Sequence, residues 1–300
     1  MLGNQENIIA IMGPSGSGKS RIIDTLAHTN WSGPGLANVT QKIQSVKTTL
    51  KSRNGKGVQV TLVDTPGFGD THKSDLQILE MIADWLEQNY RKGVCLTGII
   101  YLARITDNRI TGDSFRCMKM FGKLCGGAEQ LAKRVAFVTT MWDKIQHNVG
   151  TGREMALRDV LRPMLDRGAR VLRSNNTRTS NQQIVLDLID LTASQPHPVL
   201  MQEEMVDQAR PLIETEAAQM LFDQFQILLS KHKATLKDLE EIARRSNDSN
   251  LREDLELERQ KIEKELNDTF AEAKKLKLSW AQRLLAFFRK SVRFFEFDSS

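Results

Sequence analysis

Three hundred residues, 40% of them hydrophobic, with a net charge of +5, describe an ordinary folded chain of one large or two modest domains. No run of about 18 apolar residues occurs, which excludes a helix crossing a membrane, and the apolar strand that starts near residue 7 predicts no signal peptide. Cys95, Cys117 and Cys125 have neither metal spacing nor even pairing, and predict reduced thiols in a cytoplasmic protein.

Asn7 to Met12 reads as a short buried strand, and Arg21 to Ala27 as a helix. Between them lies Gly13-Pro14-Ser15-Gly16-Ser17-Gly18-Lys19-Ser20, which fits the phosphate-binding pattern GxxxxGK[ST] in its proper strand–loop–helix setting. Glycine lets backbone N–H groups turn inward around a phosphate chain. The helix N-terminus, opened by Lys19, Ser20 and Arg21, adds a field that favours anions. Lys19 is expected on the β- and γ-phosphates and Ser20 on Mg²⁺.

Trp31 to Thr40 is a Gly/Pro-rich loop. A switch loop must bring one hydroxyl to Mg²⁺, and Thr40 is the candidate, with Thr48 and Thr49 as runners-up inside an expected strand. That strand, Lys47 to Ser52, is joined by Asn54-Gly55 to another, Val58 to Val63, so the two read as an antiparallel hairpin. The second strand ends in Asp64-Thr65-Pro66-Gly67. A carboxylate at the C-terminal end of a strand faces the ligand crevice of an open α/β sheet, where Asp64 can hold the Mg²⁺ shell. Gly67 can offer its backbone N–H to a γ-phosphate. Phe68 stands where many GTPases carry a glutamine that orients the attacking water, so intrinsic hydrolysis is expected to be slow.

A helix is expected from about Ser74, a plausible N-cap, to Tyr90. Strands follow at Leu96–Leu102 and Arg134–Thr140. The latter runs into Thr140-Met141-Trp142-Asp143, which keeps the threonine and aspartate of the guanine-binding pattern but has methionine in the lysine slot. Asp143 can accept two hydrogen bonds from guanine, or serve only as a helix N-cap. Met141 can cover the flat face of a base. A strand at Ala169–Ser174 places Asn175-Asn176 near the base, with Asn175 as the site residue, and a helix from about Asn181 to Leu191 closes the sheet.

GPSGSGKS, DTPGFGD, GIIYLARITDNRITG and VAFVTTMWDK together resemble the septin-like and avirulence-induced-gene-type P-loop GTPases, with G-domain proteins abundant in fungi as the nearest likeness. The resemblance covers about residues 5–195. It implies that Leu36–Ile43 is the switch loop, which favours Thr40 over Thr48, and that Ile105–Gly112 is a signature loop. It also implies dimerisation through the nucleotide face and residence at membranes. The methionine at 141 departs from the usual pattern.

Composition shifts at Ser194-Gln195-Pro196-His197-Pro198. From Val199 to about Arg245 apolar residues recur at helical spacing, and a second helix is expected over Leu251–Leu276. Its narrow stripe of Leu251, Leu255, Ile262, Leu266 and Phe270 suits either a coiled coil or a hairpin folded on the first helix. The tail holds seven basic residues from Lys274 to Arg293 without an intervening acid; Ala281, Leu284, Leu285, Phe288, Val292 and Phe295 fall on one helical face, flanked by Trp280, Phe287 and Phe294. Such a segment suits an anionic membrane surface, a calmodulin-like partner or this protein's own core. Nothing in it reads bases, and no nucleic acid partner is expected.

The sequence therefore predicts an α/β P-loop domain of the small-GTPase kind over 1–195, with three layers and a mostly parallel sheet. A helical hairpin or coiled coil follows over 196–277 and a basic amphipathic tail over 278–300. The expected activity is Mg²⁺-dependent GTP binding and slow hydrolysis to GDP, with release of the switch loops when the γ-phosphate leaves. A P-loop ATPase or nucleotide kinase, and a non-catalytic nucleotide-binding scaffold, are the alternatives.

Overall fold

The computed structural model of the chain describes residues 6–32, 40–70, 73–107, 113–126, 132–191, 197–245, 255–262, 264 and 267. Two compact units divide it, Met1–Met220 and Leu221–Ser300.

The first unit is built on a six-stranded sheet. β1 (Asn7–Met12), β3 (Gly57–Asp64), β4 (Gly98–Arg104), β5 (Val135–Thr140) and β6 (Arg170–Arg173) are parallel, and β2 (Gln44–Lys51) is antiparallel. The order is β2-β3-β1-β4-β5-β6. β1, β4 and β5 are near-continuous apolar runs because helices cover both of their faces. β2 is an edge strand with alternating exposure. The β2–β3 turn closes at Asn54-Gly55, where Gly55 takes φ 79° and its N–H donates to the Ser52 carbonyl at 2.9 Å.

One face carries α1 (Lys19–Ala27) and α5 (Arg178–Leu191). Ile22, Ile23 and Leu26 of α1 pack with Ile184, Val185 and Leu188 of α5 against Ile9, Ile11, Leu62, Ile100 and Leu102. Alternation sends Tyr101 to the other face, where its ring lies 4.8 Å from that of Phe121 in α3 (Asp113–Cys125) and 5.8 Å from that of Phe137. α2 (Asp75–Tyr90) is started by a capping box between Ser74 and Gln77 and buries Leu79, Ile82 and Leu86. α4 (His147–Leu165) links β5 to β6. Residues 113–125 and 147–165 drew no helix prediction from the sequence.

Residues 197–220 belong to the first unit, although the composition shift predicts a boundary at 195–196. Gln202 donates to the Leu86 carbonyl at 3.0 Å, the Tyr90 hydroxyl donates to Asp207 at 3.0 Å, and Lys123 pairs with Glu216 at 2.8 Å. The continuous helical pattern expected over 199–245 is broken. A short turn at Leu200–Gln202 passes through a π-type turn at Glu203–Asp207 and a 3₁₀ turn at Leu212–Glu214 before α6 (Glu216–Arg245) begins. Pro211 causes the break, since it has no N–H and restricts the residue before it, and Ala209 takes φ 51°.

In the second unit, α6 continues to Arg245 and a further helical stretch covers 255–262. Most of the expected Leu251–Leu276 helix, and the whole basic tail, lie outside the described residues. No helix among the described residues is long and apolar enough to cross a membrane.

Candidate functional site

The C-terminal ends of β1, β3, β4 and β5 open on one edge of the sheet, where an open α/β fold binds its ligands. The Gly13–Ser20 loop leaves β1 there. Gly13, Gly16 and Gly18 all take positive φ, and a side chain at Gly13 would meet the Leu102 carbonyl at 2.6 Å. Lys19 is 6% exposed and its Nζ donates to the carbonyls of Gly13 (3.2 Å) and Pro14 (2.9 Å). Burial pushes its ammonium down to about 8, against the opposing pull of the Asp64 and Asp70 carboxylates.

Asp64, Thr65, Pro66 and Gly67 lie directly beside that loop. A Cβ at Gly67 would fall 2.6 Å from the Ser15 backbone and 2.7 Å from Lys19 Nζ, so only glycine fits. Pro14 and Phe68 form a parallel bridge, and the Ser15 N–H donates to the Phe68 carbonyl at 2.9 Å. Phe68 itself is buried, 1% exposed.

Three oxygens converge at the foot of α1. The Ser20 and Thr40 hydroxyls both donate to Asp64 Oδ2, at 2.7 and 2.9 Å, and lie 3.1 Å from each other. Asp64 Oδ1 is buried and has no hydrogen-bond partner. Burial raises the Asp64 carboxyl above its usual value, and the Ser20 and Thr40 hydrogen bonds oppose the rise. An orphaned carboxylate oxygen with two hydroxyls is a hard donor set that fits a small divalent cation arriving with phosphates, not a cage of protein ligands alone. Groups of three or more His, Cys, Asp or Glu side chains able to hold a metal are absent among the described residues. Thr48 and Thr49 lie within β2.

A second pocket lies across the N-terminus of α1, lined by Ser17, Gly18, Arg21, Thr140, Met141, Asp143, Lys144, Ser174 and Asn176. The Thr140 hydroxyl donates to the Ser17 carbonyl at 3.0 Å, tying the β5 loop to the phosphate loop. Met141 takes φ 64°, which turns the chain into the 3₁₀ turn Trp142–Lys144 and leaves Asp143 exposed. Asn176, also at φ 57°, reaches the pocket, whereas Asn175 is exposed and its N–H donates to Ser180 Oγ at 3.2 Å.

Several residues here escaped sequence reasoning. Trp142 anchors the Asp143 turn. Its indole N–H donates to Thr139 at 2.9 Å, and the Arg173 guanidinium sits 4.1 Å above its ring, held by a bidentate pair with buried Glu154, Nε on Oε1 and Nη2 on Oε2. Asp24 of α1 accepts hydrogen bonds from the backbone N–H groups of Trp31 and Ser32, each at 2.8 Å, and from the Thr29 and Ser32 hydroxyls, fixing the root of the loop that leads to Thr40. Asp70 lies 3.4 Å from the Ser15 hydroxyl. Arg104, at the end of β4, donates to the Ser15 carbonyl at 3.2 Å. No local motif marks these residues, because each is defined by a contact distant in sequence.

Residues 4–115 match the Septin family. Protein peanut of Drosophila melanogaster is 29% identical over 112 residues, which are 35% of this chain and 20% of peanut. Neuronal-specific septin-3 of Danio rerio is 34% identical over 91 residues, 28% of this chain and 25% of septin-3. The chain thus spans a quarter or less of the curated relatives it matches. Among solved structures, Era of Aquifex aeolicus bound to GDP·AlF4− is similar with a TM-score of 0.46 and 19% identity, covering 65% of this chain and 59% of that one. Toc33 of Arabidopsis thaliana gives 0.45 and 15%, covering 65% and 87%. At such scores the fold rests on its own features: the strand order, the single antiparallel edge pair, and the phosphate loop between β1 and α1. The first unit of this chain has the α/β fold of a P-loop NTPase, and its N-terminal part, residues 4–115, is similar to the septins.

Proposed function

We propose that the protein binds GTP with Mg²⁺ and hydrolyses it slowly to GDP, as a nucleotide-controlled switch or assembly factor. The observation that carries this reading is the convergence of Ser20, Thr40 and Asp64 within 2.7–3.1 Å beside buried Lys19. The backbone N–H groups of Gly13–Ser20 would cradle the phosphates, with Lys19 on the β- and γ-oxygens. Ser20, Thr40 and Asp64 would hold Mg²⁺, which neutralises charge on those oxygens. Gly67 would offer its N–H to the γ-phosphate, and Asp143 would select guanine. Phe68 has no group to orient water and is packed away, so turnover is slow unless a partner helps. Thr40 reaches the cation site from one loop and Gly67 the phosphate from another, so γ-phosphate loss frees both. Self-association through the nucleotide face belongs to the same proposal and rests on the septin resemblance.

Affinities for GTP and ATP with Mg²⁺, in wild type and Asp143→Ala, test it. GTP preference lost in the variant supports the reading. Equal affinities in the wild type overturn guanine selection and bring the ATPase or kinase reading forward. Buried Phe68 favours one other reading, a nucleotide-binding scaffold, which predicts nucleotide-dependent assembly without turnover.

A further inference from the structure

Only the resemblance marks the loop after β4, and the proposed function gives it no task. Its described residues connect to the phosphate loop through an unbroken chain of contacts. Arg153 of α4 donates to the carbonyls of Ile105 (3.0 Å) and Thr106 (2.7 Å), fixing the start of the loop. The Asp107 N–H closes the turn onto the Arg104 carbonyl at 3.3 Å. The Asp107 carboxylate then pairs with Arg104 Nε at 2.9 Å, with the two side chains 27% and 32% exposed. Arg104 Nη1 donates to the Ser15 carbonyl at 3.2 Å, and a Cβ at Gly16 would lie 3.5 Å from the same nitrogen.

The Ser15 carbonyl and the Gly16 N–H belong to one peptide group. The chain has no cis peptide bond among the described residues, so the two point in opposite directions. A donor that fixes the carbonyl on one side of the peptide therefore fixes the N–H on the other. A charged donor also polarises the peptide and strengthens the N–H as a donor. Gly16 takes φ 72°, a left-handed conformation that glycine adopts without strain.

We infer that Arg104, held by Asp107, is a positioning residue that orients the Ser15–Gly16 peptide so that its N–H binds nucleotide phosphate. The inference rests on the nucleotide-binding reading above. It gives the start of the β4 loop a role: the Arg104–Asp107 pair links it to the phosphate cradle.

The test compares wild type, Arg104→Ala, Arg104→Lys and Asp107→Asn by calorimetric titration with GDP, and with guanosine as a probe of the base pocket alone. Amide spectra of the GDP-loaded proteins follow Gly16. Arg104→Ala should lose about tenfold to a hundredfold in GDP affinity, the range for one charge-assisted hydrogen bond. Guanosine affinity and the melting temperature of the nucleotide-free protein should hold. Arg104→Lys should restore part of the loss, Asp107→Asn should show a smaller one, and the Gly16 amide resonance should move in Arg104→Ala while that of Gly18 stays. Unchanged GDP affinity in Arg104→Ala overturns the inference, as does a parallel fall in GDP affinity, guanosine affinity and melting temperature, which marks a merely structural role. A wild type that binds neither GDP nor GTP overturns the nucleotide reading itself and the inference with it.

Discussion

Lys19 is expected to lower the stability of the nucleotide-free protein. Its ammonium is 6% exposed, and burial takes its pKa from 10.5 to about 8. At about 1.4 kcal/mol per tenfold, that fall corresponds to about 3 kcal/mol against the charged form near pH 7. Lys19→Met removes this cost but leaves the Gly13 and Pro14 carbonyls without their donor, worth about 1–2 kcal/mol. The nucleotide-free variant should therefore be about 1–2 kcal/mol more stable than wild type near pH 7, while losing affinity for GTP. The pH dependence carries the sign. Between about pH 8 and 10.5 the unfolded chain still binds the lysine proton that the folded chain has released, so wild-type stability rises with pH across that window. The variant lacks this contribution, and its advantage should shrink as pH approaches 10. Urea unfolding of both proteins from about pH 7 to 10, without nucleotide, reads the difference. A variant less stable than wild type at neutral pH, or an advantage that stays constant with pH, would refute the reasoning.

Asp64→Asn should abolish the Mg²⁺-dependent part of GTP affinity while leaving affinity in chelator unchanged or higher, because a buried anion is removed and the Ser20 and Thr40 contacts can persist; titrations with and without Mg²⁺ check it. Gly67→Ala forces a methyl group to within 2.6 Å of the Ser15 backbone, and should cost about 1–3 kcal/mol of stability together with GTP affinity, measured by unfolding and titration. Trp142→Ala removes the ring beneath Arg173 and the support of the Asp143 turn, and should narrow the GTP-over-ATP preference at a stability cost of about 2 kcal/mol, seen by competition binding. Light scattering with GTP or GDP bound should show a larger species with one nucleotide than with the other if the nucleotide face is a contact surface.

The parts of the fold that were legible are those set by short-range signals. Asn54-Gly55 marks a turn whatever surrounds it, and the Ser74–Gln77 capping box starts α2 within one turn of chain. The residues of Gly13–Ser20 and Asp64–Gly67 carry their spacing in the sequence, so Ser20, Asp64 and Lys19 could be named before their approach was visible. Thr40 was the candidate from its place in the Gly/Pro-rich loop, and the resemblance only favoured it over Thr48, since twenty residues of loop and helix separate it from Ser20. Pro211 was overlooked because apolar periodicity continues on both sides of it. Arg104, Trp142 and Arg173 were unreadable for a physical reason: an arginine becomes a positioning group only through a carbonyl or ring brought to it by the sheet. Asn175 and Asn176 cannot be told apart by composition; the left-handed turn at Asn176 decides which lines the pocket.

The two borders of the sheet limit how copies of this domain can meet. An unpaired strand edge is a template for cross-chain pairing and uncontrolled aggregation. β2 presents Lys47 and Lys51 along its border, and β6 is only four residues long with Arg170 and Arg173 at its ends. Positive charge on one border and brevity on the other make continuous ribbons of stacked sheets unfavourable. Any ordered polymer of this domain would then have to be joined through its loops and helices rather than by strand pairing.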